Sequence, residues 1–230
     1  MDINKWAKDL SNQVYDEWKM SKNKYSFGEN YGFAVFYSPV SENPNLMIIG
    51  YNPGGRENAF SKEREKATRI PEIHEYIQNK DKRKEYPIAG KMFNLFNDIG
   101  IIDWLEKSVK LNIIFFRSEK SKIWKSINRP SRREMEEFCF IKTKEIVDVL
   151  GPRYILTEGI ATFRYLVSSV FKSGCEIPTF SPSPDQRKRC IYAKSKYESI
   201  PIIGIVHPTG AWPSNAEWSQ IKGWLADDLR

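Results

Sequence analysis

The chain has few of the residues that build metal centres and covalent cross-links. Only three of its 230 residues are cysteine, Cys139, Cys175 and Cys190. The number is odd, the spacing is wide and no CxxC pair occurs, which argues against a disulfide framework, a zinc knuckle and a four-cysteine iron–sulfur cluster. Structural thiols in a reducing cytosol remain. Histidine is scarcer still, with two residues, His74 and His207. No run approaches the ~20 apolar residues of a membrane helix. The polar opening Met1-Asp2-Ile3-Asn4-Lys5-Trp6 lacks the apolar heart of a secretory signal. A cytoplasmic protein with no membrane partner is therefore expected. No Gly-Lys-Ser/Thr follows a glycine-rich turn, so a phosphate-binding loop is excluded. Internal repeats and low-complexity stretches are missing as well.

What is present suits one domain spanning 1–230, with 40% hydrophobic residues to fill its core. The formal charge is +7, which favours a polyanionic partner. Basic residues gather at Lys62, Arg64, Lys66 and Arg69, at Lys80, Lys82, Arg83 and Lys84, and at Lys120, Lys122, Lys125, Arg129, Arg132 and Arg133. Arg187, Lys188 and Arg189 form a fourth group. Acidic residues are interspersed in several of these, so each also fits a solvated helix face.

Apolar positions locate the elements. Ile3, Trp6, Leu10, Val14 and Trp18 recur every three or four residues, one stripe of a helix over 3–20. Gly32–Tyr37 reads as a strand, and Leu46–Ile49 as a short strand buried on both faces. Residues 56–86 are charged and irregular, a surface excursion carrying a short helix. Ala89–Ile99 is amphipathic, and Val109–Phe116 reads as the next strand. Ser131 and Glu134 have capping-box spacing for a helix that Gly151-Pro152 stops. A strand at Tyr154–Leu156, a helix at Ile160–Phe171 and a loop at Gly174–Pro184 follow. Further strands are expected at Cys190–Ala193 and Ile202–Val206, and Ser214 caps a last helix.

Strands alternating with helices imply an α/β fold, a three-layer αβα sandwich around a mainly parallel sheet. Such sheets bind ligands at the carboxyl ends of their strands. Four polar residues fall there or close by: Asn52, Asn112, Glu158 and His207.

Two of them sit in distinctive turns. Gly50-Tyr51-Asn52-Pro53-Gly54-Gly55 ends one strand, where glycine and proline let backbone approach a ligand and fix the Asn52 direction. Val206-His207-Pro208-Thr209-Gly210-Ala211-Trp212-Pro213 ends another. Either alone fits an ordinary turn. As an ordered pair, GxNPG early and HPTG late, they resemble the two motifs of the uracil-DNA glycosylase superfamily. The likeness is greatest to the single-strand-selective monofunctional and mismatch-specific classes, which carry Asn in the first motif. Leu111-Asn112 resembles the family strand whose Asn reads the edge of the flipped base. The resemblance spans about residues 46–215.

It implies a uracil-DNA glycosylase-like fold and a cofactor-free, metal-free, monomeric enzyme that flips a pyrimidine nucleotide out of DNA and hydrolyses its C1′–N bond. His207 would stabilise charge developing at pyrimidine O2, a role worth about 2.7–4 kcal/mol, and Asn52 would position the attacking water. Tyr51, Pro53, Gly54 and Asn112 would surround the base. Phe60 is the candidate stacking platform, with Phe115 and Phe116 as competitors that also fit a core. Thr209 and Gly210 would contact DNA, as would Trp212, as a wedge in the gap left by the base or as a packed loop anchor; Arg132 and Arg133 would meet phosphate. No lysine nucleophile is indicated. Gly54 stands where the uracil-specific enzymes carry a tyrosine that blocks the 5-position, so uracil and 5-modified pyrimidines are both admitted. Asn112 can offer its carbonyl or its amide, matching uracil-like or cytosine-like edges. A phage-directed glycosylase that removes hydroxymethylated or glucosylated cytosine is the alternative within this class. A catalytically silent nucleic-acid-binding module is the alternative outside it, and a nucleoside hydrolase acting on small molecules is a third.

Overall fold

The computed structural model describes residues 1–25, 32–52, 63–82, 84–117, 124, 127–184 and 189–229. Within them one six-stranded sheet is built from β1 (Leu46–Gly50), β2 (Val109–Asn112), β3 (Tyr154–Glu158), β4 (Thr179–Pro182), β5 (Cys190–Tyr197) and β6 (Ile200–Ile205). The spatial order is β2-β1-β3-β6-β5-β4. The first four strands in that order are parallel, and β5 and β4 are antiparallel additions. The fold is therefore α/β with a mostly parallel sheet.

The described α-helices are α1 (Ile3–Tyr25), α2 (Arg64–Ala67), α3 (Glu75–Gln78), α4 (Pro87–Asp98), α5 (Ile102–Glu106), α6 (Arg129–Leu150), α7 (Ile160–Tyr165), which a π-helical turn continues over Leu166–Val170, and α8 (Asn215–Asp228). They cover both faces of the sheet, and the period-2 alternation of strand side chains explains how. Met47 and Ile49 of β1 enter a core with Leu10 and Val14 of α1, Met135 and Ile146 of α6 and Phe163 of α7. Leu46 and Ile48 enter the opposite core with Met92 and Phe96 of α4 and Ile221 and Leu225 of α8. Because β1 is buried on both faces, its continuous apolar run carries no alternation. Each such side chain contributes about 1.5–3 kcal/mol over its exposed state.

Several local expectations change. Phe33 and Phe36 make isolated antiparallel bridges to Phe116 and Leu111 rather than a regular strand. The segment 174–184, read as a loop, contains the edge strand β4, whose Pro182 is tolerated at a register shift. The cap of α6 is Asn128, not Ser131: its side chain accepts the Ser131 backbone N–H at 3.0 Å, and Pro130 follows in the first turn. At α8 Ser214 is the cap, as expected, and it forms a full capping box with Glu217.

Register then positions the site. Gly50 pairs with Asn112 across β1–β2, and Glu158 pairs with Ile205 across β3–β6. The carboxyl ends of four parallel strands thus finish at one edge. From β1 the chain moves outward to β2 and then returns past β1 to β3. The direction of strand order reverses there, which opens a crevice between the connections.

Candidate active site

A cleft of about 1570 Å³ lies over that edge. Tyr51 and Asn52 enter it from the end of β1, Asn112 from β2, Glu158 from β3, and His207, Thr209 and Gly210 from the turn after β6. The residues singled out from two distant motifs therefore meet in one cavity. Pro53, Gly54 and Phe60 lie outside the described residues.

Asn112 is buried, and Gly50 makes room for it. A Cβ on Gly50 would stand 2.1 Å from Asn112 Oδ1 and 3.1 Å from Glu158 Oε2. The first separation is far inside van der Waals contact, so the Asn112 amide occupies the place of the missing side chain. The amide and the Glu158 carboxylate converge on the same point above the β1 backbone.

His207 is half-buried, and its ring is fixed by its own turn. Nδ1 accepts the Gly210 N–H at 2.8 Å and the Thr209 N–H at 3.3 Å. An acceptor Nδ1 places the proton of the neutral ring on Nε2. Burial lowers the His207 pKa below its ordinary value, with Glu158 opposing and Lys110 and Lys91 assisting, so the neutral form holds at neutral pH. The turn is braced from two sides. Lys91 of α4 donates to Pro208 O at 2.8 Å, and Arg189, just before β5, donates to Ala211 O at 2.6 Å. Arg189 also donates from Nε to the buried Glu217 at 2.9 Å. Arg189, together with the hydrogen bonds from Ser183 and the Ser214 backbone, pulls the Glu217 pKa to about 2 against the effect of burial. Arg189, expected among residues facing a polyanion, is thus committed to holding the His207 turn and the start of α8.

The floor of the cleft holds a buried charge cluster. Lys110, two residues before Asn112 and so on the same face of β2, is 3% exposed. Its Nζ lies 2.6 Å from Glu75 and 3.7 Å from Glu158, between the rings of Tyr37 and Tyr76 at 4.8 and 4.7 Å. Tyr76 OH donates to the other oxygen of Glu158. Burial works to lower the Lys110 pKa, but Glu158 and Glu75 outweigh it and hold the group above its ordinary value. Burial likewise raises Glu75 despite its lysine partner. A lysine kept cationic in this way is a counter-ion, not a nucleophile.

Glu75, Tyr76 and Tyr86 come from the stretch 56–86, read as a surface excursion; Tyr76 is fully buried and all three line the cleft. Sequence offered one usable signal, Lys110 within an otherwise apolar strand. A buried lysine demands carboxylate partners, although nothing in the sequence says which.

The other candidates lie elsewhere. Phe115 and Phe116 are fully buried core residues, and Phe116 stacks on Trp124. Tyr51 stays in the cleft lining and packs there against Tyr165, their ring centres 5.2 Å apart. Trp212 is 71% exposed beside the cleft-lining Ala211, with Lys91 Nζ 5.2 Å from its ring. Arg133 is exposed on α6, while Arg132 lies 3.5 Å from Glu136.

No protein-family model and no curated protein matches this chain. Among the described residues, no group of three or more His, Cys, Asp or Glu is arranged to hold a metal ion, and no helix is long and apolar enough to cross a membrane.

Proposed function

We propose that this chain is a monofunctional DNA glycosylase with the uracil-DNA glycosylase fold, acting on uracil or a 5-modified pyrimidine flipped out of DNA. The observation that carries this reading is the convergence of Asn52, Asn112 and His207 at the carboxyl ends of three of the four parallel strands in one cleft.

The chemistry follows from the groups available. As the C1′–N1 bond lengthens, its electron pair moves onto the base and charge accumulates at O2. The neutral His207 ring donates from Nε2 to that oxygen, and because the turn already fixes the ring, little reorganisation accompanies the reaction. Positive charge is left on the sugar. The Asn52 amide is too weak a base to deprotonate water near neutral pH, so it orients a water that attacks C1′ once the bond is largely broken. The water oxygen bonds to C1′, its proton passes to solvent, and the free base departs. Asn112 hydrogen-bonds the base edge from its slot over Gly50. The size of the cleft supports substrates larger than unmodified uracil, including the hypermodified cytosines of a phage-directed enzyme.

The test is mass spectrometry of bases released from oligonucleotides carrying uracil, 5-hydroxymethyluracil or 5-hydroxymethylcytosine, with the resulting abasic sites quantified by alkaline cleavage. Release of a free base by the wild-type protein, lost in Asn52→Ala, is the expected result. DNA binding without release of any base would replace this reading with the silent binding module.

A further inference from the structure

We infer that Glu158 is a base-reading residue and that, together with Asn112, it selects pyrimidines bearing a 4-amino group over those bearing a 4-oxo group. The inference rests on the glycosylase reading for the placement of a base at Asn112. It goes beyond that reading, which leaves the choice between uracil-like and cytosine-like edges open.

Three observations carry it. Glu158 Oε2 and Asn112 Oδ1 both lie against the Cβ position of Gly50 and both residues line the cleft, so a base edge that meets the amide has the carboxylate beside it. The carboxylate is ion-paired: Lys110 lies 3.7 Å from Oε2, and Tyr76 OH donates to Oε1. With an ammonium beside one oxygen and a hydroxyl donating to the other, the Glu158 carboxyl group is set as an acceptor on both sides. Finally, Glu158 is 5% exposed, so its interactions are made away from bulk water, where an unmatched acceptor is expensive.

The two base edges differ at position 4. A 4-oxo pyrimidine presents a carbonyl oxygen, which Asn112 can satisfy through its amide N–H, but which sets a second acceptor against Glu158. A 4-amino pyrimidine presents two N–H donors. Asn112 Oδ1 takes one and Glu158 takes the other, while the Asn112 amide donates to the unprotonated N3. The amino edge gives each acceptor at the floor a donor, whereas the oxo edge sets its carbonyl oxygen against the Glu158 carboxylate. A site built to hydrogen-bond a donor rejects the analogue lacking it far more strongly than an apolar pocket rejects a change in size.

The experiment compares 5-hydroxymethylcytosine with 5-hydroxymethyluracil, which differ only in the group at position 4 and the proton on N3 that goes with it. Single-turnover release from oligonucleotides is measured alongside calorimetric binding of the two free bases. The wild type is expected to favour the amino base by ~100-fold or more in release, and Glu158→Gln, whose amide can donate, is expected to bring the ratio to about one or reverse it. Thermal melts establish that the variant is folded, and the wild-type ratio stands as a test without it. Release of both bases at equal rates by the wild type would overturn the inference and leave the glycosylase reading intact. Preferential binding of the amino base with no release of either would support the inference while sinking the catalytic reading. Neither binding nor release of any pyrimidine would overturn both.

Discussion

His207 Nδ1 accepts the Gly210 backbone N–H at 2.8 Å, which commits the ring proton to Nε2. That hydrogen bond requires an unprotonated Nδ1, and burial lowers the pKa of the ring in the same direction. His207→Ala is expected to slow base release by ~100- to 1,000-fold, the usual loss for one oxyanion donor. The pH profile carries more information. A histidine with a depressed pKa titrates below its ordinary value, so any break in the wild-type single-turnover rate should lie below pH 6.5. A rate that falls or rises through that pH with a slope of one would show a ring titrating normally and remove the tautomer assignment.

The sheet was readable from sequence because its central strands are buried on both faces, and such strands must be continuous apolar runs. The same logic found Asn52 and His207, which follow those runs at the edge where parallel sheets bind ligands, and Asn112, which lies inside the run read as a strand over 109–116 but ends β2 in the fold. Lys110 escaped because one charged residue in a four-residue strand reads as a sign of exposure. Glu75 and Tyr76 escaped for a different reason: α3 has four residues, too short to show any period, and its burial depends on Lys110 as a partner distant in sequence. Asn128 was overlooked as the α6 cap because Ser131 has the better local pattern, whereas the backbone starts its turn three residues earlier around Pro130.

Removing the cation from the cleft floor isolates the sizes of these terms. Lys110→Met leaves Glu75 and Glu158 facing each other without a counter-ion in a buried site. Breaking a buried pair in this way costs about 3–5 kcal/mol. Adding Glu75→Gln removes one of the two carboxylates and should restore at least half of the loss. Urea unfolding of both variants measures this; equal stability of the single and double variants would mean that Glu75 takes up a proton once Lys110 is gone.

His74 predicts how stability responds to acid. Its Nδ1 accepts the Tyr76 backbone N–H at 3.1 Å at the start of α3, and burial, reinforced by Lys110, lowers its pKa to about 3. The unfolded chain protonates this residue near pH 6.5, while the folded protein resists until about pH 3. Its contribution to stability is therefore complete above pH 6.5 and declines as pH falls toward 3, by up to about 1.4 kcal/mol per unit. Asparagine caps a helix without titrating. His74→Asn should lose about 2 kcal/mol less than the wild type between pH 7.5 and pH 5. Parallel acid losses in the two proteins would show that His74 is protonated in the fold.

Gly50 makes the sharpest prediction, because the substitution is small and its consequence local. The Cβ of Gly50→Ala would fall 2.1 Å from Asn112 Oδ1, so the amide must leave its slot or β1 must move away from β2. The strands are tied by a register running from Met47–Val109 to Gly50–Asn112, continued by Ile113 N–H to Gly50 O at 2.9 Å. Rotating one side chain is cheaper than breaking that ladder, so Asn112 yields. Gly50→Ala is accordingly expected to lower base release as much as Asn112→Ala, with an unfolding free energy reduced by only about 1–3 kcal/mol, the range for overpacking a core. The double variant decides between the two routes. If alanine acts by expelling Asn112, then Gly50→Ala in an Asn112→Ala background should cost no further activity, since the side chain it displaces is already gone. Independent, multiplying losses would mean that the β1 backbone has shifted instead, carrying Tyr51 and Asn52 with it.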